Sequence, residues 1–509
     1  MNLLNSLFDN ALFIRNWRER MRLHLVSSSV FLTALVIILI FLGNYLNRDI
    51  ISQYDYATKT QLKIPWINSA LFQLTIFQGF ILLLFGTISA GRMASIEKTG
   101  GTLDFHRSSP TPRFNQFLGI LLGAPVLEWC LFLATLLVSL IVIIIANIPP
   151  LNCILFYFSL IITALLLHSF SILYMLSGNK RLRIGGLFFA FYFFLSGFFV
   201  LSCLYQLTPF PAYEKLSHIL LDFNKSPSAW DTQWQTSLHS FFGYAIPFPI
   251  LQLIIQLPLI LLFALGICRK FEYAERPVWT KVQSAIFTAL ILFYFSGSIV
   301  NFKTTGQHYF MGAMAIPFWF VAFIVILITA PMATPNYLSF AKGLYRARKM
   351  KTLRLSANDD YSSNWLWLIV SCLTSSVIFF ITILFSETPN PQHLVQLITG
   401  LSYIVFYAQI LEYFNSSKYH SKKALFISGL ILLWLIIPVF GMISKTVIQS
   451  PYYLQYFFAP SPFFGTWMAQ ECLTKTGNDI AQPLVFIIIS VVLALAAILL
   501  AGNARSKAN

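Results

Sequence analysis

The sequence has few charged residues. Asp, Glu, Lys and Arg together make up 10% of the 509 residues, against roughly 25% in ordinary soluble domains. Hydrophobic residues make up 57%, so the composition excludes an ordinary soluble domain and indicates a polytopic membrane protein. The net charge of +16 is spread through short segments between apolar runs rather than gathered in one patch. We therefore expect no nucleic-acid partner.

The chain also lacks the short motifs of common catalytic sites. No G-x-x-x-x-G-K-[ST] string occurs, so the chain has no phosphate-binding loop and is not expected to hydrolyse ATP itself. The absence of H-E-x-x-H and G-x-S-x-G argues against a membrane protease or a metal hydrolase. The six cysteines fit neither a disulfide framework nor a metal site. We expect no enzyme activity, no metal and no cofactor in this chain.

Twelve apolar runs are long enough to cross a bilayer, for which a helix needs about 20 residues. They lie near residues 28–46, 66–90, 125–148, 151–176, 184–206, 246–268, 283–302, 309–332, 364–386, 393–414, 424–444 and 481–502. The sequence therefore predicts an all-α polytopic membrane protein with about 12 transmembrane helices. Most of the 34 Lys and Arg residues fall in segments that are cytoplasmic if the N-terminus is cytoplasmic. By the positive-inside rule we expect both termini in the cytoplasm and the protein in the inner (plasma) membrane.

Loop lengths indicate an internal repeat. A long cytoplasmic segment follows the second span of each half, at 91–113 and 333–363, and a long external segment follows the fifth, at 207–245 and 446–480. An even number of helices per copy keeps both copies in the same orientation, so we predict two parallel six-helix repeats. The predicted divisions are an interfacial helix at 1–27, a first unit at 28–270, a short linker at 271–282 and a second unit at 283–509.

An aromatic Pro-x-Pro stretch precedes the last span of each half. It contains Pro247 and Pro249 in the first half, and Pro460 and Pro462 in the second. Apolar but proline-broken sequence at this position predicts short helices that re-enter the outer leaflet. The alternative is an aromatic belt at the membrane interface.

One polar segment between apolar runs carries a pattern that resembles a known family. The segment is Gly91–Arg113, and its pattern continues to Gly119. The residues that carry the resemblance are Glu97, Lys98, Gly101, Thr102, Leu103, Asp104, Ser109, Pro110 and Gly119. In this order they resemble the cytoplasmic coupling segment of ABC-2-type transporter permeases, the membrane subunits of ATP-driven exporters. His106 and Ile120 depart from the family pattern, and the alternative is an ordinary amphipathic loop and helix.

The resemblance implies a fused, two-unit permease subunit of an exporter, with ATP and Mg²⁺ bound on a separate ATP-binding subunit. Two copies of that subunit would dock, one at 91–113 and one at 333–363. It further implies that Glu97 and Asp104 contact the partner, that Gly100-Gly101 allows a tight turn, and that Ser109-Pro110 ends a short helix. The same resemblance implies an external gate at the two Pro-x-Pro stretches, with Pro247 and Pro249 in one and Pro460 and Pro462 in the other. The segment 333–363 lacks the Glu…Gly-Thr-Leu-Asp string.

The second segment is basic instead. It contains Lys342, Arg346 and Arg348, which predict a diverged coupling segment that meets an acidic partner surface or anionic lipid. A plain positive-inside loop explains these residues equally well.

The N-terminal stretch combines apolar residues at helical spacing with Arg15, Arg18, Arg20 and Arg22. This pattern predicts an interfacial helix whose arginines face lipid phosphates or a partner, at the position of the elbow helix of ABC-2 permeases.

Ionisable residues inside the predicted spans are rare, and each is costly there. Glu128 is expected to pair with a basic residue of the elbow helix, or else to line a substrate path. His168 is expected to make a helix-to-helix hydrogen bond, the alternative being a proton relay. Glu412 lies at the inner end of a span, where its side chain can reach the headgroups.

This scarcity separates the two main functional hypotheses. A twelve-helix secondary transporter, the alternative function, needs an ion site within its spans, whereas an ATP-driven exporter does not. Phe-rich spans suit a lipidic or amphipathic substrate. In membrane proteins, however, Phe side chains more often face the lipid bilayer than a substrate. A membrane-embedded lipid-modifying enzyme would need clustered polar residues at one membrane face, which the sequence does not show.

Overall fold

The structure is a computed structural model. It describes residues 10–46, 52–55, 60–63, 66–108, 111–145, 150–177, 238–242, 244–273, 276–299, 337–349, 365–386, 391–416 and 481–506, with isolated positions between 318 and 333. The chain divides into two compact units. The first consists of Met1–His239 with Ile246–Glu272, and the second of Ser240–Ala245 with Tyr273–Asn509.

The described elements are mostly helices. Up to residue 272 they are α1 (Ala11–Arg20), α2 (Leu23–Leu46), β1 (Ser52–Asp55), β2 (Thr60–Lys63), α3 (Trp66–Gly79), a π-helix (Phe80–Phe85), α4 (Gly86–Thr99), α5 (Thr102–Ser108), α6 (Arg113–Gly123), α7 (Val126–Ile145), α8 (Pro150–Ser177), β3 (Leu238–Phe241), β4 (Tyr244–Pro247) and α9 (Phe248–Glu272). Beyond residue 272 they are α10 (Lys281–Ile299), α11 (Tyr337–Lys349), α12 (Trp365–Ser386), α13 (Pro391–Ser416) and α14 (Ala481–Ser506).

Six of the described helices are long and apolar enough to cross a membrane. They are Leu23–Leu46, Ser69–Thr99, Val126–Ile145, Phe156–Leu176, Ile250–Glu272 and Trp367–Leu384. Three shorter apolar helices are Lys281–Gly297, Leu394–Ile410 and Ile487–Asn503. A helical fold with several apolar helices, compatible with a multi-pass membrane protein, is therefore confirmed.

The finer topology stays a prediction. The predicted spans at 184–206 and 424–444, and the long segments at 207–237 and 446–480, lie outside the described residues, and 309–332 is described only at isolated positions. The count of twelve, the repeat and the orientation of the termini are therefore not tested.

Short strands are a small departure from the all-α expectation. β1 and β2 form an antiparallel pair in the register Ser52 with Lys63 and Asp55 with Thr60. In the aromatic Pro-x-Pro stretch, Pro247 ends β4 and Pro249 lies in the first turn of α9. Proline fits the first turn of a helix because the backbone N–H that it lacks has no intrahelical partner there.

The expected short re-entrant helix is thus replaced at 244–249 by a strand that leads directly into α9. The gate role stays a prediction, and Pro460 and Pro462 lie outside the part of the chain that the structure describes.

A helix break lies at Ala124-Pro125. The apolar stretch 114–148 is too long for one perpendicular span, and Gly119, Gly123 and Pro125 predict an interfacial helix that turns into the membrane. The structure shows α6 ending at Gly123 and α7 beginning at Val126. The separation lets α6 serve as a platform for the N-terminal helix.

Each unit has its own apolar core. In the first, Leu82, Phe132 and Ala164 are buried in one cluster with neighbouring aliphatic and aromatic side chains. In the second, Trp319 and Tyr403 are fully buried in another.

Candidate functional site

The segment 91–113 turns sharply at its two adjacent glycines. The backbone N–H of Gly100 donates to Ile96 O at 2.8 Å and closes the last turn of α4. Gly101 follows with φ +75°, a left-handed conformation that glycine adopts without a steric penalty. The chain then enters α5 immediately, so α5 projects directly from the end of the apolar helix Ser69–Thr99.

Glu97 lies at the inner side of this turn. Its side chain is only 1% exposed and forms an ion pair with Arg15 Nη2 of α1. The Thr102 hydroxyl lies 3.0 Å from Glu97 O and also donates to the Glu97 carboxylate. One carboxylate thus joins α1, the end of α4 and the start of α5. In this conformation the carboxylate is buried among residues of this chain, and the direct contact with a partner that the resemblance implies stays a prediction.

Lys98 joins the same turn to α8. Its Nζ donates to Leu176 O at 2.8 Å and lies 3.4 Å from Met175 O. These carbonyls belong to the last turn of α8, where a helix has no N–H partners for them and where its dipole favours a cation.

The far end of α5 is joined to α9. Arg107 Nη2 donates to Lys270 O at 3.2 Å, and Arg113 Nη2 donates to Arg107 O at 2.9 Å. Leu103 is buried, whereas Phe105 is 72% exposed. α5 is therefore held on its inner side and presents an aromatic side chain outward.

For three of the predicted site residues, the structure does not describe the side chain. Asp104 lies on α5, but its side chain is outside the described residues, as is that of His106. Ser109 and Pro110 lie in the undescribed step between α5 and residue 111. Their predicted contact and helix-ending roles stay predictions.

The N-terminal helix α1 docks on α6 through two asparagines. The Asn10 side chain accepts from Leu12 N at 3.0 Å as an N-cap and donates to Asn115 O. Asn16 Nδ2 donates to Gly119 O at 3.3 Å. The interfacial helix predicted from the apolar and arginine spacing is thus an observed helix, and glycine at 119 allows its close approach to α6.

We expect Gly119→Val to loosen this docking. A Cβ at 119 would lie 2.8 Å from Asn10 Nδ2 and 3.0 Å from Leu12 Cβ, and Asn10 cannot swing away without losing its cap. Such overpacking costs about 1–3 kcal/mol. Thermal unfolding in detergent should show a lower melting temperature, whereas Gly43→Val is the matched control because nothing lies within 4 Å of a Cβ there. Equal melting temperatures for the two variants would contradict the docking.

Glu128 pairs with a basic residue of the N-terminal helix α1, as expected from the sequence. Arg20 Nη2 lies 2.6 Å from Glu128 Oε1, and Arg20 Nε donates to Ala124 O at 3.1 Å. The Ser89 hydroxyl of α4 also donates to Glu128. This second ion pair lies at the cytoplasmic start of α7 in the predicted orientation, and with the Glu97 pair it attaches α1 at two points.

His168 makes the expected helix-to-helix hydrogen bond. Its Nε2 lies 3.0 Å from Leu82 O, which belongs to the π-helix Phe80–Phe85. A π-turn breaks the regular i→i−4 pattern, which frees a carbonyl for such a partner. Gly86 faces His168 closely enough that a Cβ there would lie 2.6 Å from Nε2. The proton-relay alternative is untested.

The second predicted segment forms an amphipathic helix, α11. Lys342 and Arg346 are exposed on it, as is Tyr345 at 69%, while the Arg348 side chain lies outside the described residues. Glu412 of α13 is buried at 7% exposure, so its side chain does not reach out as expected for a residue at the end of a span.

Comparison of the chain with protein families, with curated proteins and with solved structures found no match. Within the described ranges, no group of three or more His, Cys, Asp or Glu side chains is placed to hold a metal ion. The functional argument therefore depends on the geometry of α1, α4 and α5.

Proposed function

We propose that this chain is the membrane-spanning permease subunit of an ATP-driven ABC exporter, powered by a separate ATP-binding subunit. The observation that supports the proposal is the arrangement at the end of the apolar helix Ser69–Thr99. This helix turns at Gly101 into the short helix α5, which is anchored on one side and carries exposed Phe105 on the other. The motif resemblance to ABC-2 permeases covers the same residues.

The anchors of α5 suit it to transmit force. Glu97 joins it to α1, Lys98 joins its base to α8, and Arg107 joins its far end to α9. A displacement of α5 would therefore move the ends of several membrane helices together. Packed elements of this kind shift between discrete arrangements rather than deforming continuously. ATP-driven closure of the partner would act on the bundle in this way.

The residues have distinct roles in this mechanism. Phe105 contacts the ATP-binding subunit, and Asp104 on the same helix supplies a carboxylate for it. Glu97 positions the segment from inside, Gly101 and Thr102 shape the turn, and Ser109-Pro110 separates α5 from α6. ATP and Mg²⁺ are bound by the partner, and this chain carries no enzyme activity of its own.

The remaining features follow from the sequence and the resemblance. A second copy of the ATP-binding subunit docks at α11, where Lys342, Arg346 and Arg348 would face acidic groups. The protein lies in the inner (plasma) membrane with both termini cytoplasmic, and its two six-helix units open a path for a lipidic or amphipathic substrate.

Phe105→Ala tests the proposed docking surface. Truncating a central aromatic of an interface costs about 2 kcal/mol or more, which corresponds to about a 30-fold loss of affinity. The tagged full-length protein is purified in mild detergent from its native host, and the co-purifying ATP-binding subunit is identified by mass spectrometry and by ATP hydrolysis. We expect the variant to lose most of it, with little change in its own melting temperature because Phe105 is exposed.

The matched control is Tyr45→Ala, which removes another exposed aromatic side chain, near the C-terminal end of α2. It should retain the subunit. If wild-type protein brings down no ATP-binding subunit, the proposal fails, and the secondary-transporter hypothesis becomes the one to test at Glu128 and His168.

A further inference from the structure

A cleft lies along the outer face of the elbow helix. It has a volume of about 390 Å³ and is lined by Ala11, Ile14, Arg15, Arg18, Glu19 and Arg22. These positions recur every three or four residues, so they share one face of α1 and of the turn that follows it. The volume is within the range of sites that hold small molecules, and a lipid headgroup is of similar size.

The lining of the cleft is basic. Three arginines and one glutamate give it a formal charge of 3 − 1 = +2. Arg15 forms an ion pair with Glu97. Arg20, which does not line the cleft, forms an ion pair with Glu128. Arg18 and Arg22 are exposed and form no ion pair with any side chain in the described ranges. Guanidinium groups in this arrangement suit the oxygens of a phosphate ester.

The element that follows the cleft identifies the source of the phosphate. α2 begins at Leu23, directly after Arg22, and only 6% of its apolar stretch is buried by the rest of the protein. Leu23, Phe31 and Leu35 are among its exposed apolar side chains. Acyl chains can therefore lie along α2 while the headgroup occupies the cleft, whereas a free phosphate ion would leave the apolar face unused.

We infer that the cleft lined by Arg15, Arg18 and Arg22 binds the phosphate headgroup of an anionic phospholipid whose acyl chains pack along α2. This site goes beyond the proposed transport function and does not depend on it. Because Arg15 belongs both to the cleft and to the pair with Glu97, the lipid and the carboxylate share one guanidinium. Occupancy of the cleft is thus linked to the residue that positions α5.

The test measures binding of labelled phosphatidylglycerol and phosphatidylcholine to the purified full-length protein in detergent, with no ATP-binding subunit present. We expect wild type to prefer phosphatidylglycerol. An arginine near anionic lipid contributes about 1 kcal/mol, or about fivefold, so Arg18→Gln with Arg22→Gln should weaken phosphatidylglycerol binding about 25-fold. Phosphatidylcholine binding should not change. Arg92→Gln removes another exposed arginine of the same unit, outside the cleft, and should leave both affinities unchanged.

Two further variants test the charge of Arg18 and Arg22, and the competition between lipid and Glu97 for Arg15, separately from effects on folding. Arg18→Lys with Arg22→Lys keeps the charge and should retain most of the preference. Glu97→Gln should strengthen phosphatidylglycerol binding several-fold, because Arg15 loses its carboxylate partner. Equal binding of the two lipids by wild type, or unchanged phosphatidylglycerol binding by folded Glu97→Gln protein, would overturn the inference. So would binding of glycerol phosphate as tight as that of phosphatidylglycerol, since the acyl chains would then contribute nothing and the site would belong to a free phosphate ester. None of these outcomes bears on whether an ATP-binding subunit docks at α5.

Discussion

Glu97→Arg is expected to reduce co-purification of the ATP-binding subunit by about 100-fold or more. The substitution places a second guanidinium against Arg15 at a position that is 1% exposed. Disrupting a buried ion pair costs about 3–5 kcal/mol, and the lower end applies because the Arg15 side chain is 37% exposed. About 3 kcal/mol corresponds to roughly 150-fold in an equilibrium constant. The measurement is the amount of co-purified subunit and its ATP hydrolysis, relative to wild type.

The charge-swapped double variant Glu97→Arg with Arg15→Glu distinguishes the two roles that Glu97 can have. If Glu97 positions α5 through Arg15, as the buried pair indicates, the swap restores the attraction between α1 and α4 and recovers much of the complex. If Glu97 instead contacts the partner directly, as the family resemblance alone implies, the swap leaves the loss in full. Failure of the swap to rescue, in a protein that still melts near the wild-type temperature, would contradict the positioning role.

The sequence predicts the class of this protein because the relevant signals are local. Scarce charge and long apolar runs depend on composition alone, and they lead to the helical, multi-helix architecture that the structure shows. Apolar and arginine spacing likewise predicts the helix α1, and Pro125 predicts the break between α6 and α7. Each of these features is decided within a few turns of chain.

The partners of individual side chains depend on tertiary packing and are less predictable. A pairing between Glu128 and some basic residue of the elbow helix could be predicted, but four arginines lie there, and only folding selects Arg20. The resemblance assigns Glu97 to an external contact. In the structure its side chain is buried and paired with Arg15 of α1, about 80 residues earlier in the chain.

Two local features lack a sequence signal of their own. The π-helix Phe80–Phe85 reads FILLLF, which is an ordinary apolar helical sequence, and its carbonyl partner His168 is far along the chain. The strand β4 lies where the sequence predicts part of a proline-broken re-entrant helix. At the π-helix, a distant contact with His168 accompanies a backbone that local propensity does not predict.

The ion pair between Arg20 and Glu128 carries the second large expected effect. Glu128 lies in the apolar helix α7 with its side chain 9% exposed. Arg20→Met would leave this carboxylate without its cation, and removing one partner of a buried pair costs about 3–5 kcal/mol. We expect a marked fall in melting temperature and in the yield of folded protein in detergent.

The double variant Arg20→Met with Glu128→Met should be clearly more stable than Arg20→Met alone, since replacing a whole buried pair by apolar groups of similar size is often neutral. A double-mutant cycle in thermal unfolding measures this coupling, with Arg92→Met as the control for loss of an exposed arginine. Strictly additive costs of the two single substitutions would show that the pair contributes nothing to the attachment of α1. Strong coupling, together with rescue by the Glu97 and Arg15 swap, would establish that the elbow helix is fixed at two charged points, one at the base of α5 and one at the start of α7.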